Sequence, residues 1–151
     1  KDWPAERYPA LARSRIARFG ATVVQVGGPS DRVREAAECN RRAGVPVVVA
    51  HGDYVRRMIT RVAGVDVLIS PDTGPLHIAH ALDTRVVGLF GHTNPWRVGP
   101  WRRDHDLVID RYTDPGETPD PSRYDPRHER MERITVDDVT AAAARALEAL
   151  R

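Results

Sequence analysis

The stretch Asp72-Thr73-Gly74-Pro75-Leu76-His77 sets a carboxylate, a hydroxyl, a bare stretch of backbone and an imidazole side by side. It falls where the apolar run Asp66-Val67-Leu68-Ile69-Ser70 gives way to a segment of helical character, Pro75 to Leu82. Proline suits a first helical turn, because its missing N–H would have no partner there. The free N–H groups of such a turn, with the positive end of the helix dipole, favour an anion, and a phosphate in particular. Gly74 lets that anion reach the backbone, and the Thr73 hydroxyl can donate one more hydrogen bond. A plainer role also fits, in which Asp72 and Thr73 cap the helix and Gly74 makes the turn. His77 and His80 stand three residues apart on the same segment. With no carboxylate or cysteine set beside them, a structural or ligand-contacting role suits them better than a metal site, and none is assigned.

The elements that must position this loop are readable from the apolar pattern. Short β-rich runs occur at Ala21–Val26, Pro46–Ala50, Asp66–Ser70 and Arg85–Phe90, with a fifth candidate at Asp106–Ile109. Nearly continuous apolar runs suit strands covered on both faces. Between them lie helical segments at Glu6–Phe19, Asp31–Ala43, Asp53–Ala63 and Pro75–Leu82, with Ser30 and Asp53 as caps of the second and third. Strict alternation with short connections predicts right-handed βαβ units and a Rossmann-like, doubly wound parallel sheet. Ligands of such sheets bind beyond the carboxyl ends of the strands. That edge comprises Gly27-Gly28-Pro29-Ser30, His51-Gly52-Asp53, Pro71 to Pro75 and Gly91-His92-Thr93-Asn94-Pro95.

The rest of the composition narrows the class. A chain of 151 residues with 41% apolar content suffices for one compact domain. The single Cys39 excludes an internal disulfide and suits a reducing compartment. No run of about 18 apolar residues is present to span a bilayer. Formal charge is +2, and acids and arginines interleave from Arg102 to Arg133, which reads as a solvated surface rather than a nucleic-acid face. From about 110 to 134 the chain is proline-rich and poor in apolar residues, an extended surface excursion. Thr135 with Asp138 resembles a capping box, and Val136, Val139, Ala143, Ala146, Leu147 and Leu150 recur at helical spacing, which predicts a closing helix over about 135–150.

Read together, Asp72 to Leu82 and the continuation Val86-Val87-Gly88-Leu89-Phe90-Gly91-His92-Thr93-Asn94-Pro95 resemble the heptosyltransferases, glycosyltransferase family nine. The opening Lys1-Asp2-Trp3-Pro4-Ala5-Glu6-Arg7-Tyr8 is similar to that family's K-x-W-P segment at the start of its second domain, and Gly27-Gly28-Pro29 to its next loop. Order and spacing agree from Lys1 to about Pro100. The resemblance implies the C-terminal half of a GT-B fold, in which two Rossmann-like domains flank a cleft. The second domain binds the nucleotide sugar, typically ADP-heptose, while the first supplies most of the acceptor site and the aspartate taken as general base. Transfer inverts the anomeric centre. No cofactor is required, and a divalent cation accompanying the donor diphosphate is compatible with the family.

Residue by residue, the resemblance puts Lys1 and Thr73 at the donor phosphates, with Gly74 and Pro75 at the helix start and Asp72 and His77 near the diphosphate or sugar. Lys1 and Thr73 there would offset the charge growing on the leaving group. Asp31 takes the place of the acid for the ribose hydroxyls, or Arg32 does if the alignment slips by one. Asp31 is shorter than the family's usual glutamate. Gly52 and Asp53 match the loop along the base. Tyr54 stands where a small capping residue is frequent, and the excursion has no counterpart.

The expected organisation is thus one donor-binding domain over 1–151, with a preceding acceptor domain absent from this chain, which starts at Lys1 rather than methionine. Its partners would be a nucleotide-sugar donor, that N-terminal domain and a glycolipid or glycan acceptor in cell-surface glycan or lipopolysaccharide synthesis, with no nucleic acid. The setting would be cytoplasmic, peripheral at the inner face of the inner membrane, and the segment alone would be inactive. Trp96 and Trp101 are expected on a face turned to the partner domain, or else as caps of the core. Two other readings stay open: a freestanding nucleotide-binding or interaction module, and another GT-B-like enzyme such as a sugar-nucleotide epimerase.

Overall fold

The computed structural model describes residues 2–52, 54–100 and 104–150. Lys1, Asp53 and Trp101, singled out above, lie outside the described residues. The chain packs as two compact units, Pro4–Arg61 and Lys1–Trp3 with Val62–Arg151.

In the smaller unit a 3₁₀ turn, Ala5–Arg7, leads into α1 (Tyr8–Phe19), then β1 (Val23–Gly27), α2 (Asp31–Arg42), β2 (Val47–His51) and most of α3 (Val55–Ala63). β1 and β2 pair in parallel, from Val23 opposite Val47 to Gly27 opposite His51. Ser30 caps α2 as its residue type predicts, its Oγ accepting from the Val33 N–H at 3.4 Å. The start of α3 departs from expectation. The Tyr54 carbonyl accepts its first backbone bonds, from Arg57 at 2.9 Å and Met58 at 3.3 Å, so the helix begins after Tyr54. β2 is also not covered on both faces, since Val48 and Val49 are 56% and 53% exposed. A run of valines carries strand preference whether or not a layer covers it, and β2 bonds to β1 alone among the described strands.

The larger unit holds β3 (Val67–Pro71), α4 (Gly74–Ala81), β4 (Arg85–Phe90), the single turn α5 (Pro95–Val98), β5 (Ile109–Asp110) and α6 (Val136–Glu148), with 3₁₀ turns at His105–Leu107 and Arg130–Arg133. The strands pair in parallel in the order β3-β4-β5. The fold is therefore parallel α/β as read from the sequence, with its strands hydrogen-bonded in two groups. β5 starts later than expected, because His105–Leu107 coils into a 3₁₀ turn. β4 is buried from Val86 through Phe90. α6 packs on it through Val139, Ala142, Ala143 and Ala146, small residues that bring the helix close to the sheet. Its capping box is complete, with Asp138 N–H on Thr135 Oγ1 at 3.1 Å and Thr135 N–H on Asp138 Oδ2 at 3.0 Å. Leu150 lies past the helix end and is exposed. At the other terminus Trp3 is buried, and its Nε1–H donates to the Ile134 carbonyl at 2.8 Å.

The proline-rich excursion is mostly exposed, as predicted, yet ionic contacts give it a definite course. Asp110 Oδ1 accepts from the N–H groups of Tyr112 and Thr113, at 2.8 and 2.9 Å. Tyr112 is buried, and its hydroxyl donates to the Asp125 carbonyl at 2.9 Å. Arg130 grips Asp114 with two bonds of 2.9 and 2.8 Å, while Glu117 receives Arg127 at 2.7 Å and also Arg123. Both Arg127 and Arg130 donate to the Tyr112 carbonyl as well. The Arg127 guanidinium, with Arg123 and a backbone N–H, holds the Glu117 carboxyl down at about 2.

Two outcomes follow for stability. Because Glu117 is depressed from 4.5 to about 2, its contribution is fully present above pH 4.5 and is lost as the pH falls toward 2. Wild type should melt higher than Glu117→Gln at pH 7, and thermal scans from pH 7 to pH 2 should show the gap closing on the acid side. At Gly91, an added Cβ would lie 2.6 Å from the Arg130 carbonyl carbon and oxygen. Gly91→Ala is expected to cost about 1–3 kcal/mol of unfolding free energy in a denaturant titration, because backbone cannot swing aside as a side chain can.

Candidate functional site

β3 and β4 run in register from Val67 opposite Arg85 to Pro71 opposite Leu89, so the loops that leave their carboxyl ends open side by side. The first of these is the Asp72-Thr73 turn. Leu76 and Ala79, fully buried, hold α4 down on the sheet and fix the direction in which its N-terminus points. Thr73 occupies the N-cap position in extended backbone, φ −142° and ψ 169°, but its side chain does not cap the helix. Its Oγ1 turns back to lie 2.9 Å from Ser70 Oγ and 3.3 Å from the Pro71 carbonyl. Ser70 is only 5% exposed and also reaches the Pro71 carbonyl, at 2.9 Å.

Asp72 is likewise not a cap. Its Oδ1 accepts from His77 Nε2 at 2.9 Å, which ties the loop to the first turn of α4. The Asp72 side chain is 14% exposed and the His77 ring 52%, so the carboxylate is sheltered and the imidazole stands outward. The capping role open to Asp72 and Thr73 on sequence is therefore not the one adopted; Pro75 has no N–H and the Leu76 N–H donates to the Thr73 carbonyl at 3.1 Å, so among the described residues the Gly74 N–H is the donor left at the start of α4. Gly74 is exposed, and among the described residues a Cβ there would meet no atom within 4 Å. No described residue crowds this point so as to demand glycine.

The second loop, Gly91 to Asn94, is fastened to the excursion. Asn94 is buried; its Oδ1 accepts from the Trp96 N–H at 3.0 Å, while its Nδ2 donates to the carbonyls of Asp120 at 2.8 Å and Arg123 at 2.9 Å. The Arg127 N–H donates to the His92 carbonyl at 2.9 Å, and the rings of His92 and His128 meet edge to face. Trp96, expected on an open face or in the core, is half-buried with its ring edge-on to His105. Sequence reasoning passed over both Ser70 and Asn94. The available signals were a hydroxyl inside an otherwise apolar strand and an asparagine directly before a proline.

The smaller unit carries the other expected contacts. The Gly52 N–H donates to the Gly27 carbonyl at 3.1 Å, so the loops after β1 and β2 are joined, and Gly52 takes the left-handed backbone, φ +69°. Asp31 opens α2 with its side chain almost wholly exposed and bound to Arg34 at 2.6 Å, a contact that lowers its pKa. Arg32, the alternative, pairs with Glu35 at 3.2 Å. His51 ends β2 with a buried Nε2 that has no partner among the described residues, and burial pushes its pKa down. Among the described residues no group of three or more His, Cys, Asp or Glu is placed to hold a metal ion, and no helix is long and apolar enough to cross a membrane.

These loops, in this order, match the pattern of one known family over residues 1–125, glycosyltransferase family 9 (heptosyltransferase). The chain belongs to glycosyltransferase family 9. It is 31% identical over 113 residues to the lipopolysaccharide core heptosyltransferase OpsX of Haemophilus influenzae, an overlap of 72% of this chain and 31% of that protein. It is also 31% identical over 106 residues to lipopolysaccharide heptosyltransferase 1 of Pseudomonas aeruginosa, covering 68% of this chain and 28% of the relative. The chain thus spans about a third of the length of these curated relatives. The crystal structure of a family 9 glycosyl transferase from Veillonella parvula superposes with a TM-score of 0.78 at 25% identity, over 99% of this chain and 42% of that one.

Family 9 membership turns the open space above Gly74 into a test. Gly74→Ala fits the fold without a clash and should leave the melting temperature within a degree or two of wild type, on the order of a surface substitution. An anion seated on the backbone there would be displaced by the new methyl group. If the start of α4 holds a phosphate, calorimetric titration with ADP should show a clear loss of affinity in a protein that melts normally.

Proposed function

We propose that this chain is the nucleotide-sugar-binding part of an inverting glycosyltransferase that uses ADP-heptose or a similar donor, and that Asp72 to His77 receives the donor's diphosphate and sugar. The reading is carried by one observation: in a family 9 chain, the turn from β3 to α4 leaves the helix N-terminus without a side-chain cap. Such an end presents the Gly74 N–H and a partial positive charge to a phosphate. A carboxylate has only acceptor oxygens and repels phosphate, so Asp72 suits the sugar hydroxyls better than the diphosphate. His77, its bonded partner, faces outward; with its Nε2 proton given to Asp72, its Nδ1 can accept from a sugar hydroxyl.

In the transfer, the bond between the sugar's anomeric carbon and the diphosphate breaks, and the nucleoside diphosphate leaves with the electron pair. The acceptor hydroxyl attacks from the opposite face and gives its proton to a base. Thr73 and Lys1 would stabilise the departing phosphate, a contribution that grows with its charge. Asp31, Gly52 and Asp53 are proposed to meet the nucleoside. No group on this chain is assigned as the base, which is proposed to come from a further acceptor domain. The acceptor is proposed to be a lipopolysaccharide core or related glycan, reached on the cytoplasmic side of the membrane, with no metal required beyond a cation brought by the diphosphate.

The two halves of the site are separable by titration calorimetry. Thr73→Val should weaken ADP roughly ten-fold or more, the worth of a hydrogen bond to a charged group. Asp72→Ala should leave ADP binding nearly unchanged while weakening ADP-heptose. Failure of the folded wild type to bind either ligand would overturn the donor reading.

A further inference from the structure

We infer that Ser70 is a positioning residue for the donor phosphate, acting through Thr73 by a relay of hydroxyl protons. The inference rests on the donor reading above and adds a residue to it. Ser70 lies at the penultimate position of β3, 5% exposed, in a strand whose other inward position, Leu68, is apolar. A buried hydroxyl in such a place needs partners, and it has two: Thr73 Oγ1 at 2.9 Å and the Pro71 carbonyl at 2.9 Å.

Each hydroxyl owns one proton. Without a ligand the Ser70 proton can rest on the Pro71 carbonyl, and the Thr73 proton then points inward, onto Ser70 Oγ or onto the same carbonyl at 3.3 Å. An anion at the start of α4 needs the Thr73 proton turned outward. That rotation would strip Thr73 Oγ1 of its inward bond unless another donor supplied one. Ser70 is at the right distance to do so, turning its own proton from the Pro71 carbonyl to Thr73 Oγ1. The chain then reads Ser70 O–H to Thr73 O–H to phosphate. Each link polarises the next, so Thr73 donates more strongly than an isolated hydroxyl would. The Pro71 carbonyl gives up a bond in the exchange; it is an acceptor with two lone pairs, in a residue that is itself half-exposed.

A double-mutant cycle on the whole chain decides the matter, with ADP as the probe. Ser70→Ala should weaken ADP about five-fold, the net worth of one neutral hydrogen bond, with the melting temperature monitored in parallel. The same substitution beside Thr73→Val should change ADP binding by less than two-fold, because the relay has no second link to act on. A residue that merely supported the strand would weaken binding equally in both backgrounds. Should Ser70→Ala melt too low to titrate, Ser70→Cys keeps the size and a weak donor. Its smaller loss must likewise vanish beside Thr73→Val. Additive losses, or an unaffected Ser70→Ala alongside a weakened Thr73→Val, overturn the relay and leave the donor reading standing. A folded wild type that does not bind ADP overturns both.

Discussion

The parallel ladder between β3 and β4 is the constraint on which the larger unit depends. Its five registered pairs place Pro71 beside Leu89, and every loop that leaves the carboxyl end of either strand inherits that spacing. α4 cannot slide relative to it, because Leu76 and Ala79 are wholly buried. With the helix pinned from beneath, its N-terminus is set without help from a capping side chain. Thr73 and Asp72 are thereby released from the task those residue types usually perform. One is drawn to Ser70 and the other to His77. The uncapped end is a local cost in stability that tertiary packing offsets, and such departures from local rules gather at functional sites.

The second half of the same edge is governed by charge. Asp114 and Glu117 collect four arginines between them, two of which also hold the Tyr112 carbonyl. Through Asn94 and the Arg127 backbone this cluster is tied to the loop after β4. Arginine suits the task, since its planar fork can serve a carboxylate and a carbonyl together. A stretch with too little apolar content to fold on its own is thus given a fixed path beside the candidate site.

Much of this was legible in the residues. Alternating apolar runs gave the βαβ order, and Ser30 and the Thr135/Asp138 box marked helix starts at single-residue resolution, because capping depends on side chains adjacent in sequence. The anion-site reading of Asp72 to His77 rests on the same local chemistry and stands as a proposal. What was hidden was nonlocal. Whether a threonine caps its helix or turns to a buried serine depends on how the helix is held, and no spacing rule encodes that. The exposure of Val48 and Val49 was misread because valine favours a strand on an edge as well as in a core. The course of the excursion was equally opaque: its charges looked like a solvated face, and only the fold shows which acid each arginine meets.

Trp3 gives the chain an unusual connectivity. Its indole is buried and bonded to the Ile134 carbonyl, so Trp3 belongs with the unit Val62–Arg151 while Pro4 to Arg61 lies between it and Val62 in the chain. The smaller unit is in effect an inserted loop with both ends tethered. Closing a loop costs entropy that rises only with the logarithm of its length, so an insert of this size adds little more than a short one would.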